Sequence, residues 1–248
     1  MGVRQPTSAS SPCDCLRRSR ARDSVPRYGS NMDATSFVLD LDSFRAERMG
    51  PIVGAGQLSL SQPELGETRA MLLIALANEI SVSELAAAWV PTTREIDVKI
   101  AFARQAGDEA NHFQLVSDRL TALHIDTSSF RAPVNSPLFE YLKGLRETVE
   151  RVAAGLFALE SIAYAVNETF MAFSAACGDD ETVRIYRECI QPDEHAHHQL
   201  GKRLLERHAT TQELQRASRE TVGRVLEIAT SSRAQAAARI GSACIPGC

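Results

Sequence analysis

Two long apolar segments, each with a single acid inside, most constrain how this chain can fold. One covers residues 70–80 and contains Glu79, and the other covers residues 152–166 and contains Glu160. A helix that is apolar on nearly all sides is buried, and a buried carboxylate is costly unless it is protonated, paired or bound to a cation. Neither segment contains a Lys or Arg that could be that partner. The sequence therefore predicts another positive group in the core, beside Glu79 and Glu160.

A repeated motif offers such a partner. Asp-Glu-x-x-His occurs at residues 108–112 and again at residues 193–197. On a helix, a Glu and a His three residues apart lie on one face, with roughly 5–6 Å between their Cβ atoms, so both can reach the same ion. Each motif follows one apolar segment by about one helix length, and an antiparallel helix pair would bring the two together. This pairing places Glu160 level with Glu194 and His197.

The predicted site combines four carboxylates and two imidazoles in the core. This is a ligand set for two divalent transition metals, and mixed carboxylate and imidazole ligation suits iron or manganese better than structural zinc. On the first long helix, three other acids remain alternatives to Glu79, namely Glu64, Glu67 and Glu84. The six predicted ligands are Glu79, Glu109, His112, Glu160, Glu194 and His197.

Helical periodicity and helix-ending residues divide the chain into helices, and no strand-like alternation of useful length occurs. We expect an all-α fold, a four-helix bundle with a long crossover between its second and third helices and an extra C-terminal helix. Pro192, just before the second motif, predicts a bend or restart there. The crossover covers residues 124–137, a helix-to-helix cap covers 177–180, and helices cover 41–49, 62–89, 94–123, 137–176, 181–207 and the stretch from a Thr210 cap to residue 240.

The two ends of the chain differ from the region between them. Residues 1–31 contain six Arg, no Lys and two acids without apolar periodicity, which predicts a disordered basic tail. Alternatively, translation starts at Met32 and these residues are not made. We assign residues 32–241 to one helical domain and residues 242–248 to a C-terminal tail.

Charge and cysteine content give no support to several classes of protein. The net charge of -4 gives no basic footprint for nucleic acid. The most apolar run, residues 70–90, is interrupted by Glu79 and Glu84, so we expect no membrane span. The six cysteines form no Cys-x-x-Cys pair, and without a visible signal peptide we expect a cytoplasmic protein.

The order of lone Glu, Asp-Glu-x-x-His, lone Glu, Asp-Glu-x-x-His resembles the ferritin-like carboxylate-bridged di-iron proteins, over residues 62–206. In the oxygen-activating branch of these proteins, the acid before each Glu hydrogen-bonds the metal-bound His of the opposite helix. The resemblance thus implies that Asp108 orients His197 and that Asp193 orients His112. Asn111 and Ala196 stand where that branch usually has Arg, which weakens assignment to the large multicomponent hydroxylases. Tyr164, one turn after Glu160, is a candidate hydrogen-bond donor in a second shell.

The resemblance implies an oxidoreductase, a di-iron monooxygenase or oxidase. It would use two iron ions, or manganese or a mixed Fe/Mn pair, with dioxygen as co-substrate and a small organic or tethered substrate. An external electron donor such as a ferredoxin or reductase would supply electrons, since no flavin or nicotinamide motif is visible. A homodimer is compatible with these expectations. The alternatives are a ferroxidase or iron-storage protein of ferritin or bacterioferritin type, and a manganese catalase.

Overall fold

The structure, a computed structural model, describes residues 32–57, 65–132, 136–240 and 244–247. All regular structure in these ranges is helical, and no strand occurs in them, so the predicted all-α class is confirmed. Residues 1–31 and the start predicted for the second helix at residue 62 lie outside the described residues. The helices are α1 (Ala34–Gln57), α2 (Leu65–Trp89), α3 (Ile96–Ala122), α4 (Pro137–Gly144), α5 (Thr148–Val152), π1 (Ala153–Leu159), α6 (Glu160–Ala176), α7 (Asp180–Ile185), π2 (Tyr186–Ile190), α8 (Gln191–His208) and α9 (Gln212–Ile240).

Two helix pairs form the centre of the fold. In the first pair, α2 packs along α3, and the turn between them is closed by Thr93, whose hydroxyl donates to the Trp89 carbonyl at 2.8 Å. In the second pair, α5, π1 and α6 run without interruption, and α7, π2 and α8 do the same. The pairs meet where α3 packs on α8 and α2 packs on α6.

The predicted cap between α6 and α7 is present. Gly178 has a φ of 74°, a left-handed conformation that ends the helix at little steric cost. Asp179 then accepts a hydrogen bond from the Thr182 backbone N–H at 3.0 Å, which caps the start of α7. The two long helices of the second pair therefore turn back on each other where the sequence predicted.

The first helix, predicted for residues 41–49, is longer at both ends, and its predicted end before Gly50 and Pro51 is wrong. α1 continues through Pro51 to Gln57. A proline inside a helix costs on the order of 3 kcal/mol. Met49 and Ile52 flank it and are 6% and 3% exposed, and burying each side chain stabilises by about 1.5–3 kcal/mol. Packing on both sides thus offsets the interrupted hydrogen bond.

The single helix predicted for residues 137–176 is split, which is a second correction. α4 ends at Gly144, and Leu145 is extended, with φ −65° and ψ 138°. Glu147 restarts the helix, because its backbone N–H donates to the Glu150 carboxylate at 3.1 Å. The buried Arg151 donates to the Leu145 carbonyl at 3.2 Å, a carbonyl that an unbroken helix would not leave free for it.

Within the described residues, one stretch, Thr68–Trp89 of α2, has the length and apolar composition needed to cross a membrane, and 56% of its most apolar window is buried inside the fold. It packs against α3 and carries the buried Glu79. Its properties are therefore consistent with the core helix of a soluble protein. Localisation in the cytoplasm stays a prediction.

The last described residues, Cys244–Gly247, belong to the predicted C-terminal tail and pack against the helices. Cys244 and Ile245 are 1% and 2% exposed. The Gly247 N–H donates to Asn167 on α6 at 2.9 Å, and the guanidinium of Arg233 on α9 donates to the Gly247 carbonyl at 3.0 Å. We refer to these four residues as the C-terminal strap.

Candidate metal centre

The structure brings all six predicted ligands together. Glu79 lies on α2, the first motif on α3, Glu160 at the start of α6 and the second motif on α8. The side chains form two groups in which the potential ligand atoms all lie within 4.8 Å of one another. Glu109 and Glu194 belong to both groups, so each could bridge two ions. The six residues are between 0% and 6% exposed: Glu79, Glu109, His112, Glu160, Glu194 and His197.

Each imidazole directs Nδ1 at two carboxylates. His112 Nδ1 lies 3.3 Å from Glu109 and 3.5 Å from Glu79. His197 Nδ1 lies 3.5 Å from Glu109 and 3.5 Å from Glu160. Ligand atoms bound at about 2.0–2.2 Å to a common ion lie roughly 3 Å or more apart. The spacing in both halves is therefore compatible with atoms that share an ion.

The other ring nitrogen of each histidine bonds to an aspartate from the opposite helix. His112 Nε2 lies 3.2 Å from Asp193, and His197 Nε2 lies 3.0 Å from Asp108. An imidazole that donates from Nε2 presents a lone pair at Nδ1. Each aspartate thus favours the tautomer whose Nδ1 faces the carboxylates, which is the arrangement that a metal-ligating histidine uses.

Buried atoms in the cluster lack partners. Glu109 Oε1, Glu194 Oε2 and the Nδ1 atoms of both histidines have no hydrogen-bond partner among the described residues. Acceptor atoms that face one another in a low-dielectric core repel unless a proton or a cation lies between them. The donor set of oxygens and imidazole nitrogens therefore fits a divalent cation, and these buried Glu and His groups could hold a metal ion.

Electrostatics point to the same unmet need for positive charge. Burial disfavours the imidazolium, but the carboxylates outweigh it and raise the pKa of His112 to about 11 and that of His197 to about 12. Burial is the largest effect on Glu79 and Glu194, and it raises the pKa of both. Burial also opposes the charged form of Glu109, yet the nearby imidazoles of the two histidines lower its pKa. Protons thus neutralise the cluster wherever a cation does not.

The structure decides only in part between Glu79 and the three other acids that were alternatives to it as a ligand. Glu84 is exposed, since it lies on the outer face of α2, and it is not part of the cluster. Glu64 lies outside the described residues, and the side chain of Glu67 is not described. Glu79 is the acid of α2 that the structure places within the cluster.

Tyr164 does not face the centre, contrary to the prediction. It is 39% exposed, and its ring packs on that of His195, with the centroids 5.3 Å apart. The α6 residue one turn from Glu160 that does line the centre is Ala163. Residues three and four positions along a helix are rotated about 60° to one side and about 40° to the other. Ala163 and Tyr164 thus lie on opposite sides of Glu160, and the side of Ala163 is the one that faces the centre.

Two buried polar residues near the centre were missed from the sequence. Gln105, 1% exposed, lies one turn before Glu109 and donates a hydrogen bond to Glu160. Tyr186, 1% exposed, has a hydroxyl without a partner among the described residues, and burial together with the charges of Glu79 and Glu194 raises its pKa. Helical spacing from Glu109 could have flagged Gln105, whereas nothing local distinguishes Tyr186 from a core tyrosine.

A π-helical segment precedes the centre in both long helices of the second pair. π1 ends at Leu159, directly before Glu160, and π2 ends at Ile190, four residues before Glu194. Short π segments within α-helices often occur at functional sites. Pro192 lies inside this uninterrupted helix, two residues after the change from the π- to the α-helical hydrogen-bonding pattern, and it has no N–H to donate. The helix therefore changes its hydrogen-bonding pattern beside the second motif, as the proline suggested.

A small cavity of about 10 Å³ lies within the cluster, roughly the room that one water molecule requires. Glu79, Glu109, Glu160 and Glu194 line it, together with Asn78, Val82, Ala163 and Gly247. Gly247 brings the C-terminal strap to the edge of the centre. The predicted tail therefore contributes a wall to the candidate site.

Fold and cluster together define an all-helical protein with a buried Glu and His site that could hold metal. A family model described as "Protein of unknown function (DUF455)" matches residues 51–241, which is most of the chain, so the chain belongs to this family. No curated protein and no solved structure gives a match. The family description assigns no activity, so the functional argument depends on the site itself.

Proposed function

We propose that this protein is a ferritin-like, carboxylate-bridged di-iron oxidoreductase that uses dioxygen to hydroxylate or oxidise a small organic substrate. The observation that carries the proposal is the pair of overlapping ligand groups that share Glu109 and Glu194. Two ions in these groups would be held by donors from four helices, and α2, α3, α6 and α8 carry those donors.

The donors suit iron and manganese alike, and iron is the metal we propose. When bound, a pair of ferrous ions supplies the electrons and the coordination positions with which dioxygen is activated. Electrons to restore the reduced pair would come from an external donor such as a ferredoxin or reductase, because the chain has no flavin or nicotinamide motif.

The chain's own residues would prepare the centre. Asp108 and Asp193 hold the imidazoles in the tautomer that leaves Nδ1 for the metal, and they increase the basicity of that nitrogen. Gln105 fixes the Glu160 carboxylate from the side of α3. The apolar walls of α2 and π1 exclude water, which strengthens every charge interaction inside. Tyr186, whose buried hydroxyl interacts electrostatically with Glu79 and Glu194, would hold a proton at that hydroxyl.

Metal analysis of protein produced with iron tests the proposal first. We expect close to two iron ions per chain in the wild type and a large loss in Glu109→Ala, which removes a shared ligand. The matched control is Glu84→Ala, on the exposed face of α2, which should bind iron as the wild type does. Equal iron content in both variants and the wild type would contradict the site.

Reactivity then separates the alternatives. We expect the ferrous protein to consume dioxygen in proportion to added reductant without accumulating a mineral core. A large hollow assembly that stores many ions per chain would instead indicate an iron-storage protein. Rapid disproportionation of hydrogen peroxide by manganese-loaded protein would indicate a catalase.

A further inference from the structure

A second, much larger cavity lies beside the candidate metal centre. It has a volume of about 520 Å³, within the range of about 300–1,000 Å³ that is typical of small-molecule pockets. Residues of α2, α4 and α9, the end of the α3–α4 connection and the C-terminal strap line it. Its apolar wall consists mainly of Leu73, Ile74, Ala77, Phe130, Leu138 and Ile245.

The charged lining of this cavity has one sign. Arg131, Arg233 and Arg239 line it, and no acid is among the described residues that form its wall. Arg131 and Arg239 are exposed and form no ion pair with any acid in the part of the chain that the structure describes. Each of these two guanidinium groups donates one hydrogen bond to a backbone carbonyl, Arg131 to Phe130 and Arg239 to Gln235. Their remaining N–H donors are available to an oxyanion.

The cavity is next to the metal centre. Asn78 lines both the large cavity and the small one, and it directly precedes Glu79. The strap lies between the two, since Ile245 lines the large cavity and Gly247 the small one. A Cβ on Gly247 would lie 3.3 Å from Asn78 Nδ2, so the strap passes very close to Asn78 here.

The geometry points to a binding site for an amphiphilic organic anion, with its apolar body against α2 and its oxyanion head on the arginines. Leu73, 36% exposed, would lie against that body. As a substrate site, the cavity rests on the proposed di-iron function and identifies the class of substrate. As a binding site it stands without that function, because none of the six candidate ligands lines the cavity. The link to the cluster is Asn78, the neighbour of Glu79.

Displacement of the fluorescent sulfonate 8-anilinonaphthalene-1-sulfonate tests the site in metal-free full-length protein. We expect decanoate to displace the probe at a concentration about tenfold lower than 1-decanol, which has the same chain and no charge. Decyl phosphate in a parallel titration identifies which oxyanion head the arginines prefer, and stronger displacement than 1-decanol by either anion supports the proposal. Equal potency of all three competitors would overturn it, because the arginines would then contribute nothing.

Variants locate the binding. The double variant Arg131→Gln with Arg239→Gln should weaken decanoate binding at least about fivefold and leave 1-decanol unchanged. The matched control Arg104→Gln, an exposed arginine of α3 that does not line the cavity, should bind decanoate as the wild type does. Ala236→Phe narrows the cavity from α9 and should weaken both ligands. Cooperative thermal unfolding near the wild-type temperature establishes that each variant is folded.

Unchanged decanoate binding in the double variant or in Ala236→Phe would overturn the proposal. The titrations use metal-free protein, so they give the same result whether or not the centre binds iron. If iron analysis finds no metal while decanoate binds as expected, the di-iron function fails and the cavity remains. If two ions bind and decanoate does not, the cavity alone fails.

Discussion

At the residue scale, burial and charge made the candidate ligands predictable. A lone acid in an apolar helix needs a partner, and this requirement led to Glu79 and Glu160 before any packing was known. The cross-helix contacts of Asp108 and Asp193 came from a family resemblance, and the structure contains both hydrogen bonds. Tyr186 could not be predicted, because its place beside the centre depends on how two helices pack.

Asp193→Asn tests whether the aspartate contacts act on metal binding. The variant keeps a side chain that can still accept a hydrogen bond from His112 Nε2, and it removes the negative charge. We expect metal affinity to fall by about 10–100-fold, the usual effect of altering a residue that orients a ligand. Competition with a chromogenic chelator measures the affinity.

The control for this variant is Asp118→Asn, on the same helix as His112. Asp118 accepts a hydrogen bond from exposed Gln114 at 2.8 Å, away from the cluster. Metal affinity should match the wild type. Equal loss of affinity in both aspartate variants would show that total charge, and not orientation of the histidine, sets the affinity.

At the element scale, the close packing of α8 against π1 positions the half of the centre that contains the second motif. Gly201 on α8 lies so close to π1 that a Cβ would be 2.7 Å from the Leu156 carbonyl carbon and 2.8 Å from the Phe157 nitrogen. Neither backbone atom can move aside without shifting the helix. The sequence showed a glycine within a helical pattern, but the partner that requires it belongs to a distant segment.

Gly201→Ala should destabilise the fold by about 1–3 kcal/mol, because the added methyl group overpacks a rigid contact. Gly107→Ala is the matched control, since this helical glycine has nothing within 4 Å of its Cβ position. It should stabilise by roughly 0.5–1 kcal/mol through lower backbone entropy in the unfolded chain. Urea unfolding of both metal-free variants measures the changes, and equal shifts would contradict the close approach.

At the scale of the whole molecule, α1 is attached to the site-bearing α8 by an ion-pair group. Asp42 contacts Lys202 of α8 and Arg45 of its own helix, and His198 Nε2 lies 3.8 Å away. Partial burial would raise the pKa of Asp42, but hydrogen bonds from Lys202 and Arg45 outweigh it and lower the pKa. The sequence did not predict this contact, because it joins helices far apart in the chain.

Asp42→Asn should lower the free energy of unfolding of the metal-free protein by about 0.5–1 kcal/mol at neutral pH, as for a partly exposed ion pair. A carboxylate whose folded pKa lies below the unfolded value, near 3.8, stabilises above that value, and the effect disappears as the pH falls through the folded pKa. The difference from the wild type should therefore diminish below about pH 4. A difference that stayed constant down to pH 3 in urea titrations would contradict the assigned contact.

The C-terminal strap connects the far end of the chain to the candidate centre. Its sequence has no periodicity, so neither its burial nor its contact with the centre could be predicted. The guanidinium of Arg233 donates to the backbone carbonyls of Ile245 and Gly247, and Gly247 lines the small cavity. Loss of these hydrogen bonds should loosen the strap and open a route from solvent to the ligands.

Arg233→Gln should therefore release bound metal to a chelator several times faster than the wild type, with the number of ions per chain unchanged at saturation. The matched control is Arg224→Gln, also on α9, whose guanidinium pairs with exposed Glu227 at 3.2 Å. Stopped-flow mixing of loaded protein with excess chelator measures the rates. The shorter amide side chain of Arg233→Gln cannot reach both carbonyls as the guanidinium does. Equal release rates in the two variants would therefore show that the strap does not limit access to the centre.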